Sequence, residues 1–172
     1  MLGEDWGRIG SQMADGFHRQ WPALDVRAGA LPFRMAADGG PEILLIRRRG
    51  RDVWSIPKGR FMIFRSASDS ARIEAKEEAG VHGRVGCEAL GSYLHVKGAG
   101  TSGRRSEAVE VIVFPLEVDE IAVSWREMEQ RERQWVRLDD AAELISSSHL
   151  RNIIADFARA QTNTVKLEAD PI

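Results

Sequence analysis

The segment that most constrains this chain is a short stretch near its middle, Ser70–Val81, which reads SARIEAKEEAGV. Ser66 and Asp69 lie just before this segment and fit the capping-box pattern that begins many helices. Gly80 lies where a helix commonly ends in a left-handed residue. These signals predict a helix from about residue 67 to residue 79.

The predicted helix carries an acidic face. Its glutamates at i, i+3 and i+4 fall within an arc of about 100°, and they are Glu74, Glu77 and Glu78. Like charges at this spacing cost a few tenths of a kcal/mol per pair, so stability alone does not favour them. Three carboxylates at the edge of a buried face suit Mg²⁺, or Mn²⁺ in its place, which substrate phosphates often complete. The alternative is a solvated acidic face.

Small residues form the ridge next to this acidic face. Ala71, Ala75 and Ala79 recur every fourth position, which would let the helix approach a sheet closely. The strand-like runs that could supply the sheet are VRAGALPFRM, EILLIRRR, GRVGCEALGSYLHVK, AVEVIVFPLEV and RQWVRL. A last helix follows from apolar residues at helical spacing, namely Leu150, Ile153, Ile154, Phe157 and Ala158. The pattern predicts an α+β fold with a sheet of mostly antiparallel strands.

Composition limits the classes of protein that fit. The 172 residues, 43% apolar, suffice for one domain, and we expect an N-terminal arm over 1–24, a domain over 25–161 and a mobile C-terminal tail over 162–172. A net charge of −2 argues against bulk nucleic-acid binding. No apolar run approaches the ~20 residues that span a bilayer, and no signal core begins the chain, so we expect no membrane association and a cytoplasmic location. The single Cys87 excludes an internal disulfide and reads as a small core residue.

Immediately upstream of the acidic helix, IPKGR places two cations beside a glycine. From Gly59 onward the sequence resembles the Nudix box, G-x5-E-x7-R-E-U-x-E-E-x-G-U, in which U is a bulky aliphatic residue. The matching positions are Gly59, Glu74, Glu77, Glu78, Gly80 and Val81. The resemblance implies the Nudix fold, an α/β/α sandwich with a mixed, mostly antiparallel β-sheet.

Three positions depart from the box. Arg65 stands where the first glutamate is expected, Ile73 replaces the arginine, and Ala75 replaces the first aliphatic residue. In the family that glutamate and arginine commonly bond to each other and steady the loop and helix. Because both are gone together, no buried charge is stranded. We therefore expect an effect on loop rigidity more than on metal binding.

The resemblance also implies an activity. The segments WSIPKGR and SWREMEQRERQWV look like the diphosphoinositol polyphosphate phosphohydrolase subgroup. The implied function is a metal-dependent pyrophosphohydrolase that cleaves a phosphoanhydride in a diadenosine polyphosphate or a diphosphoinositol polyphosphate. Alternatives are a catalytically weak module that senses a phosphorylated metabolite, and an RNA 5′-pyrophosphohydrolase. The resemblance is also compatible with a homodimer, because many Nudix proteins dimerise.

The resemblance assigns roles to individual residues. The expected metal ligands are the three helix glutamates with the carbonyl of Gly59 and, because alternation sets it opposite Val109 and Val111, Glu110. The expected catalytic residues are Glu74, Glu77 and Glu129. The general base is either Glu77 or a glutamate of the loop before the last strand, where the candidates are Glu127, Glu129 and Glu132. Of these loop glutamates we take Glu129. Guanidinium and ammonium groups grip phosphate oxygens. The expected phosphate contacts are Arg48, Lys58, Arg60, Arg104 and Arg105.

Overall fold

The computed structural model describes residues 25–37, 39–97 and 107–169. Its strands are β1 (Asp25–Met35), β2 (Pro41–Arg48), β3 (Lys58–Arg60), β4 (Val81–Val85), β5 (Gly91–Lys97), β6 (Glu107–Ile121) and β7 (Arg131–Arg137). The helices within these ranges are α1 (Ala67–Ala79), α2 (Ala141–Leu144) and α3 (Ser148–Ala169). None of these helices is long and apolar enough to cross a membrane.

The strands form one mixed sheet. Its order is β4-β6-β1-β2-β7, with β3 paired to β1 and β5 paired to β6. β1 runs parallel to β6, and the remaining pairs are antiparallel. The sheet therefore confirms the predicted mixed, mostly antiparallel arrangement.

Each face of the sheet is covered by helix. On one face α1 lays its fully buried alanines against Ala28 and Ala30 of β1. Small residues on both sides let the helix approach the strand closely, as the alanine ridge predicts. On the other face α3 packs the apolar stripe that begins at Leu150 onto Leu31 and Ile43. The helices and sheet form the expected α/β/α sandwich.

Several boundaries differ from the sequence prediction. β3 was not predicted, because three residues with an internal glycine carry no strand signal, and it is formed by pairing with β1. α3 continues to Ala169, so residues 162–169, which we expected to lie in a tail, are helical. Cys87 is exposed and the core assignment is wrong. The predicted arm 1–24 lies outside the described residues.

Candidate metal and phosphate site

Helix α1 begins and ends as its sequence predicts. The Ser66 hydroxyl accepts a hydrogen bond from the backbone N–H of Asp69 at 3.0 Å. At the other end Gly80 adopts φ 63° and ψ 37°, the left-handed conformation, and its N–H donates back to the last turn. Both caps are confirmed, and they fix the register of the acidic face.

Hydrogen bonds fix the loop between β3 and α1, although the glutamate–arginine pair of the Nudix box is absent. The buried Ser70 hydroxyl donates to the Ser66 carbonyl at 3.0 Å and accepts from the Met62 N–H at 3.1 Å. Arg65 is exposed and Ile73 is half-buried, so neither substitution leaves a charge without solvent. A serine therefore supplies a loop-to-helix anchor here.

The three helix glutamates lie in different surroundings. Glu78 has a side chain only 8% exposed, and its carboxylate accepts from the Lys58 backbone N–H at 2.9 Å and from Arg131. Glu77 is more open and pairs with the exposed Arg126 at 2.6 Å. Glu74 lies against Gly59 so closely that any side chain at position 59 would collide with its carboxylate. The glycine at position 59 thus leaves the space that the Glu74 carboxylate occupies beside β3.

The electrostatics of the cluster favour an added cation. Burial, and after it the like charges of Glu78, Glu77 and Glu127, together raise the pKa of Glu74 to about 7. Burial also raises the pKa of Glu78, against the lowering effect of Arg131. Carboxylate oxygens are hard donors of the kind that Mg²⁺ takes. The donor chemistry fits a divalent metal.

The three helix carboxylates do not point at one common metal position in this structure. Across 25–37, 39–97 and 107–169, no three acidic, histidine or cysteine side chains are close enough to share one ion. The physical reason is visible at two of the glutamates, because Arg131 engages Glu78 and Arg126 engages Glu77. The Arg126 pair is exposed and therefore weak, whereas the Arg131 pair is buried.

The loop 122–130 docks on the C-terminal end of α1. A helix leaves its last carbonyls without partners, and this loop and the start of β7 supply donors for them. The indole ring of Trp125 also lies 4.0 Å from the guanidinium of Arg133. The pairs are Glu127 N–H to Glu77 O at 3.1 Å, Trp125 Nε1 to Glu78 O at 3.2 Å, Arg133 Nη1 to Ala79 O at 2.6 Å and Ala122 N–H to Gly80 O at 2.8 Å.

This docking distinguishes the candidate bases. Glu127 is half-buried, lies close enough to affect the pKa of Glu74, and pairs with Arg131 at 2.6 Å. Glu129, the base we expected, is exposed on the same loop. Glu132 is engaged by Arg47 of β2 at 2.6 Å. The structure brings Glu127 rather than Glu129 to the helix.

The expected phosphate contacts lie in unequal positions. Arg48 and Arg60 are exposed, and Arg48 pairs in register with Arg131, so the two side chains share a face of the sheet. The Lys58 amine turns inward to the Ser55 hydroxyl at 3.1 Å, and burial lowers its pKa to about 8. The remaining two, Arg104 and Arg105, lie outside the described residues.

Glu110 faces away from Val109 and Val111, which are fully buried in the opposite core, as alternation predicts. Its carboxylate accepts from the Ser92 hydroxyl of β5 at 2.7 Å. In this structure its partner is therefore a sheet neighbour rather than a glutamate of α1.

The sequence reasoning missed the residues that join the loop to the helix. Trp125, Arg131 and Arg133 come from outside the box, and their contacts join positions about 50 residues apart in the chain. One local signal was present, because Glu127 and Arg131 are spaced i, i+4 with opposite charges. Nothing local indicates that Arg131 also reaches Glu78.

Comparisons with known proteins agree with this geometry. Residues 24–157 match the NUDIX domain. Nudix hydrolase 21, chloroplastic, of Arabidopsis thaliana is 34% identical over 140 residues, which cover 79% of this chain and 67% of that protein. Nudix hydrolase 13, mitochondrial, of the same plant is 25% identical over 166 residues, covering 84% and 79% of the two chains.

Solved structures show the same fold. A C. elegans Ap4A hydrolase binary complex superposes with a TM-score of 0.60 at 17% identity, covering 81% of this chain and 99% of that one. The NUDIX domain of Shewanella oneidensis NrtR complexed with ADP ribose gives 0.59 at 15% identity, covering 88% and 97%. The fold, the register of the acidic helix and the sequence matches together show that this chain belongs to the Nudix family, as a hydrolase of pyrophosphate bonds whose family generally uses divalent metal ions.

Proposed function

We propose that this protein is a Mg²⁺-dependent pyrophosphohydrolase, with Mn²⁺ able to replace Mg²⁺. Its substrate would be a highly anionic diphosphate, either a dinucleoside polyphosphate or a diphosphoinositol polyphosphate. The observation that carries the proposal is the carboxylate cluster on α1, where Glu74 lies against Gly59 with a pKa raised to about 7. The like charges of Glu77, Glu78 and Glu127 around Glu74 would be offset by a divalent cation.

The metal would be held by Glu74, Glu77 and Glu78 with the Gly59 carbonyl, and Glu110 remains a proposed further ligand. When bound, it lowers the pKa of the attacking water and neutralises charge on the phosphate oxygens. Glu127 is the base that the geometry favours, because it lies on the loop docked against the helix and close to Glu74. Glu77 is the second candidate, and Glu129 stays a prediction.

The cationic side chains would orient the substrate. Arg48 and Arg60 are exposed and free to swing towards phosphate oxygens, and a guanidinium can hold two of these oxygens at once. The Lys58 amine would have to leave the Ser55 hydroxyl to reach a phosphate. Arg104 and Arg105 remain proposed contacts on sequence grounds, as do a homodimer and a cytoplasmic location.

A second function is favoured by one observation. Arg131 and Arg126 engage two of the three helix glutamates, and a domain of this fold was crystallised with ADP ribose. A chain that kept those pairs on binding a ligand would sense a phosphorylated metabolite without substantial hydrolysis. This sensor reading makes a distinct prediction, namely binding without turnover.

The test is a substrate panel. The protein would be incubated with Mg²⁺ or Mn²⁺ and diadenosine polyphosphates, ADP-ribose, nucleoside triphosphates or diphosphoinositol phosphates, with product formation measured. We expect metal-dependent turnover of a diadenosine or diphosphoinositol substrate, its loss in Glu77→Gln, and its retention in Glu143→Gln, an exposed control on α2. Tight binding without turnover under every metal condition would support the sensor and contradict the enzyme.

A further inference from the structure

Arg131, at the start of β7, joins three parts of the candidate site. Its side chain is only 12% exposed. Its Nε lies 2.6 Å from the Glu127 carboxylate on the loop 122–130, and its Nη2 contacts the Glu78 carboxylate on α1. The other oxygen of Glu78 accepts the Lys58 backbone N–H, next to Gly59. One guanidinium thus connects the loop, the helix and the backbone before it.

We propose that Arg131 is a positioning residue that holds Glu78 and Glu127 in one arrangement and so couples the loop 122–130 to the catalytic helix. The inference rests on the proposed function, because it treats Glu78 as a metal ligand and Glu127 as the base. It goes beyond that function by assigning a role to a residue that lies outside the Nudix box.

The geometry requires an arginine. A planar guanidinium can direct separate N–H groups at two different carboxylates, whereas a lysine presents one compact charge on a flexible stem. Glu78 is also buried, and removing the guanidinium of Arg131 would leave its carboxylate with the Lys58 N–H but without this ion pair. Arg131 therefore acts through its partners, by fixing where their oxygens point.

The departures from the box give this coupling its importance. The glutamate and arginine that commonly brace the loop and helix are here Arg65, which is exposed, and Ile73. Ser70 anchors the loop before the helix, but it makes no contact with the loop after it among the bonds of the described residues. Arg131 supplies an ionic connection between the Glu78 carboxylate and that later loop, beside the hydrogen bond from Trp125 to the Glu78 carbonyl.

A competing role predicts the opposite effect on metal binding. If Arg131 merely occupies the place of a cation, removing it frees Glu78 and tightens metal binding. If it positions the carboxylates, removing it weakens metal binding, because partners that orient metal ligands are worth 10–100-fold in affinity. The sign of the change separates the two roles.

The experiment compares Arg131→Lys with a matched control, Arg84→Lys, which alters an exposed 2.8 Å ion pair between Arg84 of β4 and Glu117 of β6. Mn²⁺ affinity would be measured by calorimetry, and amide hydrogen exchange of residues 122–130 would be measured in the metal-free protein. For Arg131→Lys we expect Mn²⁺ affinity to fall about tenfold or more and the loop amides to exchange faster. We expect neither change in Arg84→Lys.

A second variant keeps the proposal testable if Arg131→Lys is unstable. Glu127→Gln removes the loop end of the same connection, so it should speed exchange in the loop, and the double variant should add little to either single one. In kinetics, Arg131→Lys should lower kcat more than it changes KM. Unchanged loop exchange in both variants, or Mn²⁺ binding that becomes tighter in Arg131→Lys, would overturn the proposal.

The two proposals fail separately. If the wild-type protein turns over no substrate, the proposed function is wrong, but the exchange of the loop amides still decides whether Arg131 couples loop and helix. If turnover is normal and Arg131→Lys leaves the exchange rates, the Mn²⁺ affinity and kcat unchanged, only the role of Arg131 is wrong.

Discussion

Replacing Gly80 by alanine tests whether the loop 122–130 is held against the C-terminal end of α1. Gly80 has φ 63°, and an added Cβ would lie 2.8 Å from Cβ and Cγ of Trp125 and 2.8 Å from Nη1 of Arg133. A left-handed backbone costs an L-residue roughly 1–2 kcal/mol, and overpacking costs roughly 1–3 kcal/mol more. Alanine returns about 0.4–1 kcal/mol by restricting the unfolded chain. We expect Gly80→Ala to lower the free energy of unfolding by about 2–4 kcal/mol.

The chain offers a matched control at Gly50. Its φ is 73°, also left-handed, but an added Cβ there meets nothing within 4 Å. Gly50→Ala therefore carries the backbone cost alone, about 1 kcal/mol. Urea denaturation of both variants at equal m-values gives the difference, expected at about 1–3 kcal/mol. Costs that agree within about 0.5 kcal/mol would refute the close packing of Trp125 and Arg133 on Gly80.

Three further predictions follow from individual contacts. Trp125→Phe keeps the ring under Arg133 but removes the N–H that donates to the Glu78 carbonyl, so we expect a loss of about 0.5–1.5 kcal/mol in urea denaturation, and no loss would contradict that bond. In metal-free protein, folded Glu74 retains its proton up to a pKa of about 7, against 4.5 for the unfolded chain. The free energy of unfolding should therefore fall as pH rises from about 4.5 to about 7. If denaturation shows the same dependence on pH in a Glu74→Gln variant as in the wild type, Glu74 is not its cause. Restoring the box with Arg65→Glu and Ile73→Arg together should leave turnover similar or higher; turnover destroyed in a folded protein would show that these positions are not a removed structural pair.

Local chemistry made the helix predictable. Ser66, Asp69 and Gly80 are capping residues whose preferences depend on the backbone next to them, and the structure places the helix between them. The alanine ridge and the last apolar stripe likewise predicted which faces are buried, because periodicity of 3.6 determines a helix face. The α+β class and a mostly antiparallel sheet followed from the strand-like runs and the helical patterns, whereas the mixed sheet was implied by the resemblance to the Nudix family.

The parts that could not be predicted depend on contacts between distant segments. β3 exists through its pairing with β1, a contact between segments about 30 residues apart in the chain. The inward turn of Lys58 depends on Ser55 and burial rather than on its neighbours in the box. The same applies to Arg131, whose two partners lie on different elements.

The measurement that tests the central claim most directly is Mn²⁺ binding to the protein in the absence of substrate. Calorimetric or electron paramagnetic resonance titration of the wild-type protein would be compared with a Glu74→Gln, Glu77→Gln double variant and with the Glu143→Gln control. If the carboxylates of α1 hold the metal, the wild-type protein and the control bind Mn²⁺ with equal affinity and the folded double variant loses that binding. Equal affinity in all three proteins would contradict the account.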